Sequence, residues 1–345
     1  MSHRPPKSER EQWQQTLAPK CIDPRFIADN VLCLLPEMND RLAATRVSAA
    51  IVRARLTDRI TIRYQPDGSR ALYAKAYYDG DFGHLVYRWQ RYLWENGFGS
   101  GSMVQVPEPL GYVAQERMLL MRAASGLPVS DLILAGSLEQ AKRLMRVSAL
   151  WLAKFHKVPV PDLPVESPCE RMEILKTSAL LAKVAAACPE RTSQLIDLVH
   201  QWKELSLISN FSPKLVTMHG QFRPAHVFVQ REAVVAIDLD KLTFSDPAKD
   251  VARFAHSMTK SCMEVGGDLS RVAVLAEEFI SAYDAHAPGH LANLRYYMSL
   301  YSLKQLGKVW KNKKSDDTDK AAFGQMHLAG FQKWAQASSR VTSAA

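Results

Sequence analysis

One short stretch, HGQFRPAH at residues 219–226, decides how this chain is read. The run KLVTM at 214–218 precedes it, and the strand-like run VFV at 227–229 follows it. A polar loop between two short strands is a typical place for catalytic or binding groups, because a rigid scaffold fixes the loop. The next strand-like run ends in two carboxylates separated by one residue, Asp238 and Asp240. The stretch and these two acids therefore form one candidate site.

The N-terminal part of the chain has the pattern of a small sheet with one helix. In RITIRY, residues 59–64, apolar and polar side chains alternate with the period of a β-strand. A segment of helical spacing at 84–95 ends at Asn96 and Gly97, which are typical of a helix C-cap. Three strand-like runs precede this helix and two follow it: AAIVRARL, RITIRYQ, ALYAKAYY, then VPEPLGYV and RMLLM. This order predicts a five-stranded sheet with one inserted helix.

From Leu127 onward helical patterns dominate. Ser137 and Gln140 have the spacing of a capping box at the start of one helix. Asp246 followed by Pro247 predicts another helix start, with an N-cap acid and proline at the first helical position. Sheet followed by helices places the chain in the α+β class.

These patterns predict three parts of the chain. We expect a polar extension at residues 1–29, of which about the first 24 are loose, a sheet-bearing N-lobe at 30–122, and a helical C-lobe at 123–340. RAASG at 122–126 is the expected connector between the two lobes.

The composition is that of a folded protein with a basic excess. Of 345 residues, 47% are hydrophobic and 9% aromatic, which allows a sizeable core and excludes intrinsic disorder. The chain has 44 basic and 35 acidic side chains, a net charge of +9. This excess favours an anionic ligand or partner, and it does not by itself indicate nucleic acid, which we do not expect as a partner.

The sequence also predicts a cytoplasmic protein that does not bind membranes. The N-terminus is polar and lacks the apolar core of a secretory signal. No run approaches the roughly 18 apolar residues of a membrane span. The cysteines are scattered and none forms a C-x-x-C pair, which favours free thiols over a disulfide framework or a metal site. They are Cys21, Cys33, Cys169, Cys188 and Cys262.

Taken in order, the motifs resemble those of the aminoglycoside phosphotransferase and choline kinase superfamily, which has a protein-kinase-like fold. The family core reads roughly H-G-D-x-x-x-x-N, then I-D-x-D, then G-D-P-x-x-D; this chain has HGQFRPAH, AIDLD and SDPAKD. ALYAKAYYD, VPEPLGYV and LAKFHKVPV are similar to the family's lysine strand, the following strand, and a helix end often written LH-x-x-P. The resemblance covers about residues 40–310. It implies a two-lobe fold with a small five-stranded N-lobe and a larger, mainly helical C-lobe.

The resemblance also implies cofactors and the residues that bind them. The cofactors are ATP and Mg²⁺, or Mn²⁺, and the acceptor is a hydroxyl of a small molecule. Lys75 matches the lysine that holds the α- and β-phosphates, and the connector residues Met121 and Ala124 lie against the nucleotide. Asp238 matches the metal-binding carboxylate, with Asp240 beside it, because Mg²⁺ prefers oxygen ligands.

In the loop, the resemblance assigns a supporting role to His219 and departs from the family at two positions. Asp250 matches an acid that braces the loop. Gln221 stands where the family has the aspartate that accepts or orients the proton of the acceptor hydroxyl, and a carboxamide cannot take that proton. His226 stands where the family has an asparagine that binds the second metal, and imidazole suits softer metals than Mg²⁺.

Two further family features are missing from the N-lobe. The helix at 84–94 has no acid to pair with Lys75, since Glu95 comes too late. The first strand pair has no glycine loop to cover phosphates, and GFGSG at 97–101 follows a helix without the G-x-G-x-x-G spacing, which predicts a turn.

Three hypotheses follow. The first is an ATP-dependent phosphotransferase with reduced or rearranged chemistry. The second is a pseudokinase that binds nucleotide or a protein partner without catalysis. The third is an anion- or nucleic-acid-binding protein that uses a basic helix end. This end consists of Lys304, Lys308, Lys311, Lys313 and Lys314. Nucleotide binding separates the first two hypotheses from the third, and turnover separates the first from the second.

Overall fold

The computed structural model describes residues 6–35, 46–54, 58–165, 170–208, 214–230, 233–264, 268–311 and 317–336. The chain divides into two compact units. Unit 1 comprises Met1–Gly126 and Phe228–Asp240, and unit 2 comprises Leu127–Val227 and Lys241–Ala345.

The described α-helices and β-strands are labelled here in chain order. The helices are α1 Lys7–Cys21, α2 Pro24–Asn30, α3 Gly80–Leu93, α4 Val129–Leu132, α5 Leu138–Phe155, α6 Glu170–Ala187, α7 Thr192–Ile208, α8 Ala248–Glu264, α9 Leu269–His286, α10 Leu294–Lys311 and α11 Asp317–Gln336. The strands are β1 Val47–Ala54, β2 Arg59–Pro66, β3 Leu72–Tyr77, β4 Val104–Gln105, β5 Pro109–Val113, β6 Met118–Arg122, β7 Leu127–Pro128, β8 Val216–Met218, β9 Val227–Gln230, β10 Ala233–Ala236 and β11 Thr243–Ser245.

Unit 1 is built on a five-stranded sheet with the order β1-β2-β3-β6-β5, in which all neighbouring strands are antiparallel. The α3 helix follows β3, so the predicted order of three strands, a helix and two strands is confirmed. One face of the sheet is apolar: Ile60, Ile62 and Tyr64 of β2 pack in one buried cluster with Ile27 and Leu32. Alternation along β2 leaves the opposite face for polar side chains.

The expectation of a loose N-terminus is wrong for the described residues. Residues Lys7–Cys21 form α1, whose buried positions are Arg10, Gln14, Leu17 and Cys21. The buried stripe has helical spacing, but half of it is polar, so apolar periodicity alone does not reveal it. Arg10 is stabilised there by Asp58, at 2.8 Å from Nη1 to Oδ1.

Unit 2 is mainly helical, with α5 against α9, α8 against α9, and α10 against α8 and α11. The capping box predicted for α5 is present: the backbone N–H of Gln140 donates to Ser137 Oγ, and Ser137 N–H donates back to Gln140 Oε1. Asp246 accepts from the backbone N–H of Ala248, at 3.0 Å, where α8 begins. Both predicted helix starts therefore exist.

The structure also bears on the cysteines and on the possibility of a membrane span. Cysteines in the described residues are free thiols. No described helix is long and apolar enough to cross a membrane. Cys169, Lys313 and Lys314 lie outside the described residues.

Unit 2 contains two buried histidines that face each other across α8 and α11. The rings of His256 and His327 lie 5.1 Å apart, and the ring of Tyr301 lies 6.1 Å from that of His256. His256 Nε2 has no hydrogen-bond partner among the described residues. Burial, with the charge of His327 and of Lys308, lowers the pKa of His256 to about 3, and burial lowers that of His327 to about 4.

This pair predicts that unit 2 loses stability in mild acid. Both imidazoles are neutral in the folded chain and take up protons near pH 6.5 when it unfolds, so their contribution is complete above that pH and falls as the pH drops towards 4 and 3. At pH 5 the loss is expected to reach about 2 kcal/mol for each imidazole. Urea unfolding at several pH values measures this slope. His256→Leu should flatten it, whereas His286→Leu, at an exposed position of α9, should leave it unchanged.

Candidate functional site

The candidate nucleotide site begins on the polar face of two neighbouring strands. In the antiparallel register of β2 and β3, Arg59 lies opposite Tyr77, and Thr61 lies opposite Lys75. Directly paired residues of an antiparallel ladder point to the same face, so all four side chains share the face away from the apolar cluster. The alternation in RITIRY and ALYAKAYY therefore determines where Lys75 points.

Lys75 lies against both acids that follow β10. Its Nζ is 2.8 Å from Oδ1 of Asp238 and 2.9 Å from Oδ1 of Asp240. Tyr77 Oη also donates to Oδ1 of Asp240, at 3.0 Å. Asp238 has a backbone φ of +70°, in the left-handed region that aspartate tolerates better than most residues. The predicted set of Lys75, Asp238 and Asp240 is therefore brought together within unit 1.

A second cation, Arg59, completes this cluster and was not predicted from the sequence. Its Nη1 lies 3.2 Å from Oδ1 of Asp238, and the same guanidinium pairs with Oδ2 of Asp240. Arg59 is 179 residues from Asp238 along the chain. The strand period places Arg59 on the polar face, but no local signal in the sequence names its partners.

The cluster is desolvated and its charges balance. The side chains of Lys75 and Asp240 are 12% and 8% exposed, and two positive groups face two negative ones. Burial lowers the pKa of Lys75 to about 8, although the charge of Asp238 opposes that shift. Charges in such a place interact more strongly than on the surface, because water screens them less.

The α3 helix contributes no acid to Lys75, as the sequence predicts. Glu95, just past α3, pairs instead with Arg91, at 2.7 Å, and its side chain is 53% exposed. The glycine-rich segment after α3 is a turn, with φ of +92° at Gly97 and +85° at Gly101. In the family pattern an acid of this helix pairs with the lysine. In this chain Asp238 and Asp240 pair with Lys75 instead.

The two predicted connector residues lie at the end of β6. Met121 is buried. It lies opposite Tyr73, and Leu119 lies opposite Lys75, so Met121 is on the same face of the sheet as Lys75. Ala124 follows the last backbone hydrogen bond of this strand pair, in which Ala123 N–H donates to the carbonyl of Ala71 at 2.9 Å. Their contact with a nucleotide stays a prediction.

The whole HGQFRPAH loop belongs to unit 2, and Asp250 of α8 holds it. The Asp250 carboxylate accepts from the backbone N–H of His219 at 2.7 Å and of Gly220 at 3.1 Å. Burial alone would raise the pKa of Asp250, but the hydrogen bond and charge of His156 outweigh it and keep this pKa below its usual value. Asp250 therefore braces the loop, as the resemblance predicts.

The loop backbone also depends on one glycine. Gly220 has a φ of +72°, and a Cβ at this position would lie 2.2 Å from the carbonyl oxygen of Lys241. Beside it the His219 ring is fully buried and packs edge-on against Trp151 and Phe222. The His219 ring is thus a scaffold element, and Gln221 is the half-buried residue that the scaffold positions.

His226 takes part in a contact that the family pattern does not contain. It ends the 3-10 turn Pro224–His226, and its Nε2 lies 2.9 Å from Nε of Arg223, which donates to it. A ring nitrogen that accepts from a guanidinium is not offered to a cation. The Nε2 atom of His226 therefore does not act as a metal ligand in this arrangement.

A divalent metal, which the resemblance implies, does not fit the residues as arranged. Mg²⁺ needs near-octahedral oxygen ligands. Both carboxylates proposed for it, Asp238 and Asp240, are paired with the cationic groups of Lys75 and Arg59. Within the described residues no group of three or more His, Cys, Asp or Glu side chains is arranged to hold a metal ion.

Several solved structures similar to this chain are small-molecule kinases. The choline kinase of Cryptosporidium parvum Iowa II is 12% identical, with a TM-score of 0.58 over 90% of this chain and 96% of its own. Amicoumacin kinase hAmiN, in complex with AMP-PNP, Ca²⁺ and Ami, is 12% identical, with a TM-score of 0.56 over 95% of each chain. The GDP complex of an aminoglycoside 2'-phosphotransferase-IIIa mutant is also 12% identical, with a TM-score of 0.55 over 90% of this chain and 97% of its own. At this identity the likeness shows the fold, and it confirms the α+β, protein-kinase-like class.

The sequence carries the family assignment. No curated protein matches the chain at a significant level. The model of the phosphotransferase enzyme family matches residues 78–292, which is more than half of the 345 residues. The chain belongs to the phosphotransferase enzyme family.

Proposed function

We propose that this protein binds ATP through unit 1 and transfers its γ-phosphoryl group, at a weakened rate, to a hydroxyl of a small molecule. The observation that supports this most is the buried Lys75, held on the polar face of β3 by Asp238 and Asp240. A lysine fixed in a site with little water is suited to phosphate oxygens, because its charge is poorly screened there. In this proposal the base lies against the end of β6, at Met121 and Ala124.

The weakened rate follows from Gln221. Phosphoryl transfer has a loose, anionic transition state, so that positioning and charge neutralisation supply most of the catalysis. Gln221 can hydrogen-bond and orient a hydroxyl or a water, and it cannot accept the proton that the hydroxyl loses. General-base catalysis contributes about 10²–10⁴-fold, and this factor is what the chain lacks. We expect ATP consumed by the wild-type protein to go mainly to water.

For the acceptor we propose a charge class and no identity. The chain carries a net charge of +9, and a positive protein attracts an anionic or neutral acceptor better than a polycationic one. A hydroxyl-bearing acceptor without several amines is therefore the class to screen first.

A pseudokinase is the second candidate, and two contacts favour it. Arg59 occupies both carboxylates that the family pattern gives to a metal, and Arg223 occupies Nε2 of His226. Such a protein keeps a nucleotide site and uses the bound form to recognise a protein partner. A pseudokinase that keeps the nucleotide site is separated from the first candidate by turnover.

The test of the proposal is a thermal-shift titration with ATP. Ligand that binds only the folded chain raises the melting temperature, by an increment that grows with ligand concentration. We expect a saturable increment for the wild-type chain and none for Lys75→Ala. Lys20→Ala is the matched control, because Lys20 also holds a buried carboxylate of unit 1, that of Glu116 at 2.7 Å. An equal increment in Lys75→Ala and Lys20→Ala would place the nucleotide elsewhere.

A further inference from the structure

We infer that Arg59 takes the place of the divalent metal, so that this chain binds the phosphates of a nucleotide without a metal ion, through the paired cations Arg59 and Lys75. This inference rests on the proposed nucleotide site and concerns which positive groups bind the phosphates there. Its starting point is the misfit between the two carboxylates and a divalent cation. Asp238 and Asp240 already have cationic partners, and both partners come from neighbouring strands of one rigid sheet.

The sheet fixes the two cations side by side. Arg59 lies on β2 opposite Tyr77, and Lys75 lies on β3 opposite Thr61, so the two cations are diagonal neighbours on one face. Diagonal neighbours of this kind are about 7–8 Å apart at the backbone, within reach of long side chains. Their charged ends meet at Oδ1 of Asp238, at 3.2 Å and 2.8 Å.

The carboxylates act here as orienting groups for the cations. A guanidinium has five N–H donors in a planar fork and an ammonium has three, whereas the contacts to Asp238 and Asp240 use Nη1 of Arg59 and two directions of Lys75 Nζ. Donors therefore remain for phosphate oxygens while the carboxylates keep both cations in place. A guanidinium fork matches phosphate geometry, which makes arginine suited to this role.

A metal ion at the same carboxylates would be disfavoured by charge. It would have to lie within a few ångströms of the ends of both Arg59 and Lys75, whose side chains are only 24% and 12% exposed. Like charges in such a poorly screened place repel strongly. A divalent ion could enter only after Arg59 had left, so the ion and this guanidinium are alternatives at one position.

The experiment measures ATP affinity by isothermal titration calorimetry, once with excess EDTA and once with Mg²⁺. For the wild-type chain we expect the two dissociation constants to agree within about twofold. Arg59→Ala should weaken binding in EDTA by at least about tenfold, and Mg²⁺ should restore part of this loss, because the carboxylates are then open to the ion. Arg63→Ala is the matched control: Arg63 shares the strand and the face but bonds to Gln65, at 2.8 Å.

Each other outcome overturns the inference in its own way. Wild-type binding that disappears in EDTA and returns with Mg²⁺ would show a metal site and leave the proposed nucleotide site intact. Affinity that is unchanged in Arg59→Ala would remove Arg59 from the phosphate site. Absence of ATP binding in both buffers would contradict the proposed function itself. Arg59→Gln, which removes the charge but keeps the first three carbons of the side chain and a polar end, serves in place of Arg59→Ala where circular dichroism shows that the alanine variant is unfolded.

Discussion

Replacement of Gln221 by aspartate is expected to raise the rate of phosphoryl transfer by about 10²-fold or more over wild type. The loop around it is already in place, since Asp250 holds the backbone on one side of Gln221 and the His219 ring is packed beside it. The variant supplies a group that can accept a proton, on a side chain one methylene shorter, as in the family pattern. The share of ATP lost to water should fall when an acceptor is bound, because the base then acts on the acceptor hydroxyl that has displaced water.

The measurement follows ADP release and phosphorylated product over a panel of hydroxyl acceptors. Gln230→Asp is the matched control, since Gln230 is exposed at the end of β9 and outside the loop. Gln221→Asp combined with His226→Asn returns both departures to the family pattern and tests whether the Arg223 contact also restrains transfer. Rapid transfer by the wild-type chain would contradict the missing-base argument. No transfer by the double variant, in the presence of measured ATP binding, would favour the pseudokinase.

Removal of the Asp250 carboxylate should be among the most destabilising single changes in unit 2. Asp250→Ala removes the acceptor of two backbone N–H groups, the buried one of His219 and the partly buried one of Gly220. Each such loss costs about 1–3 kcal/mol, so for the two groups we expect a decrease of about 2–6 kcal/mol in the free energy of unfolding. Asp250→Asn keeps one acceptor oxygen and should lose less.

Urea unfolding followed by tryptophan fluorescence measures this change, because Trp151 packs against both Phe222 and His219 of the loop. Asp268→Ala is the control: Asp268 accepts from Ser270 N–H at the exposed start of α9 and should cost only about 1 kcal/mol. Equal losses in Asp250→Ala and Asp268→Ala would mean that the loop is held by its aromatic packing and not by Asp250.

Much of the fold could be predicted from local sequence patterns. The alternation in β2, the capping box of α5 and the Asp246 helix start are local signals, and the structure contains all three elements. The α1 helix was missed because Arg10 and Gln14 supply half of its buried stripe, and their burial depends on Asp58 and on the backbone of β2. No local pattern reports such distant partners.

The same distinction applies to the candidate site. Family motifs predicted Lys75, Asp238 and Asp240, which lie together in the structure, although their roles with nucleotide and metal stay predictions. Arg59 could not be predicted, because the strand period gives the face of a side chain and not its partner across 179 residues. The Arg223–His226 contact was likewise missed, since it depends on the tight turn that the loop makes at Pro224.

The central claim is that unit 1 holds one nucleotide at Lys75, and calorimetry with the non-hydrolysable analogue AMP-PNP tests it most directly. The analogue removes turnover, so the heat reports binding alone. The account predicts a saturable isotherm with one site per chain in the wild-type protein, lost in Lys75→Ala and kept in Lys20→Ala. No saturable heat from the folded wild-type chain, in Mg²⁺ or in EDTA, would contradict it.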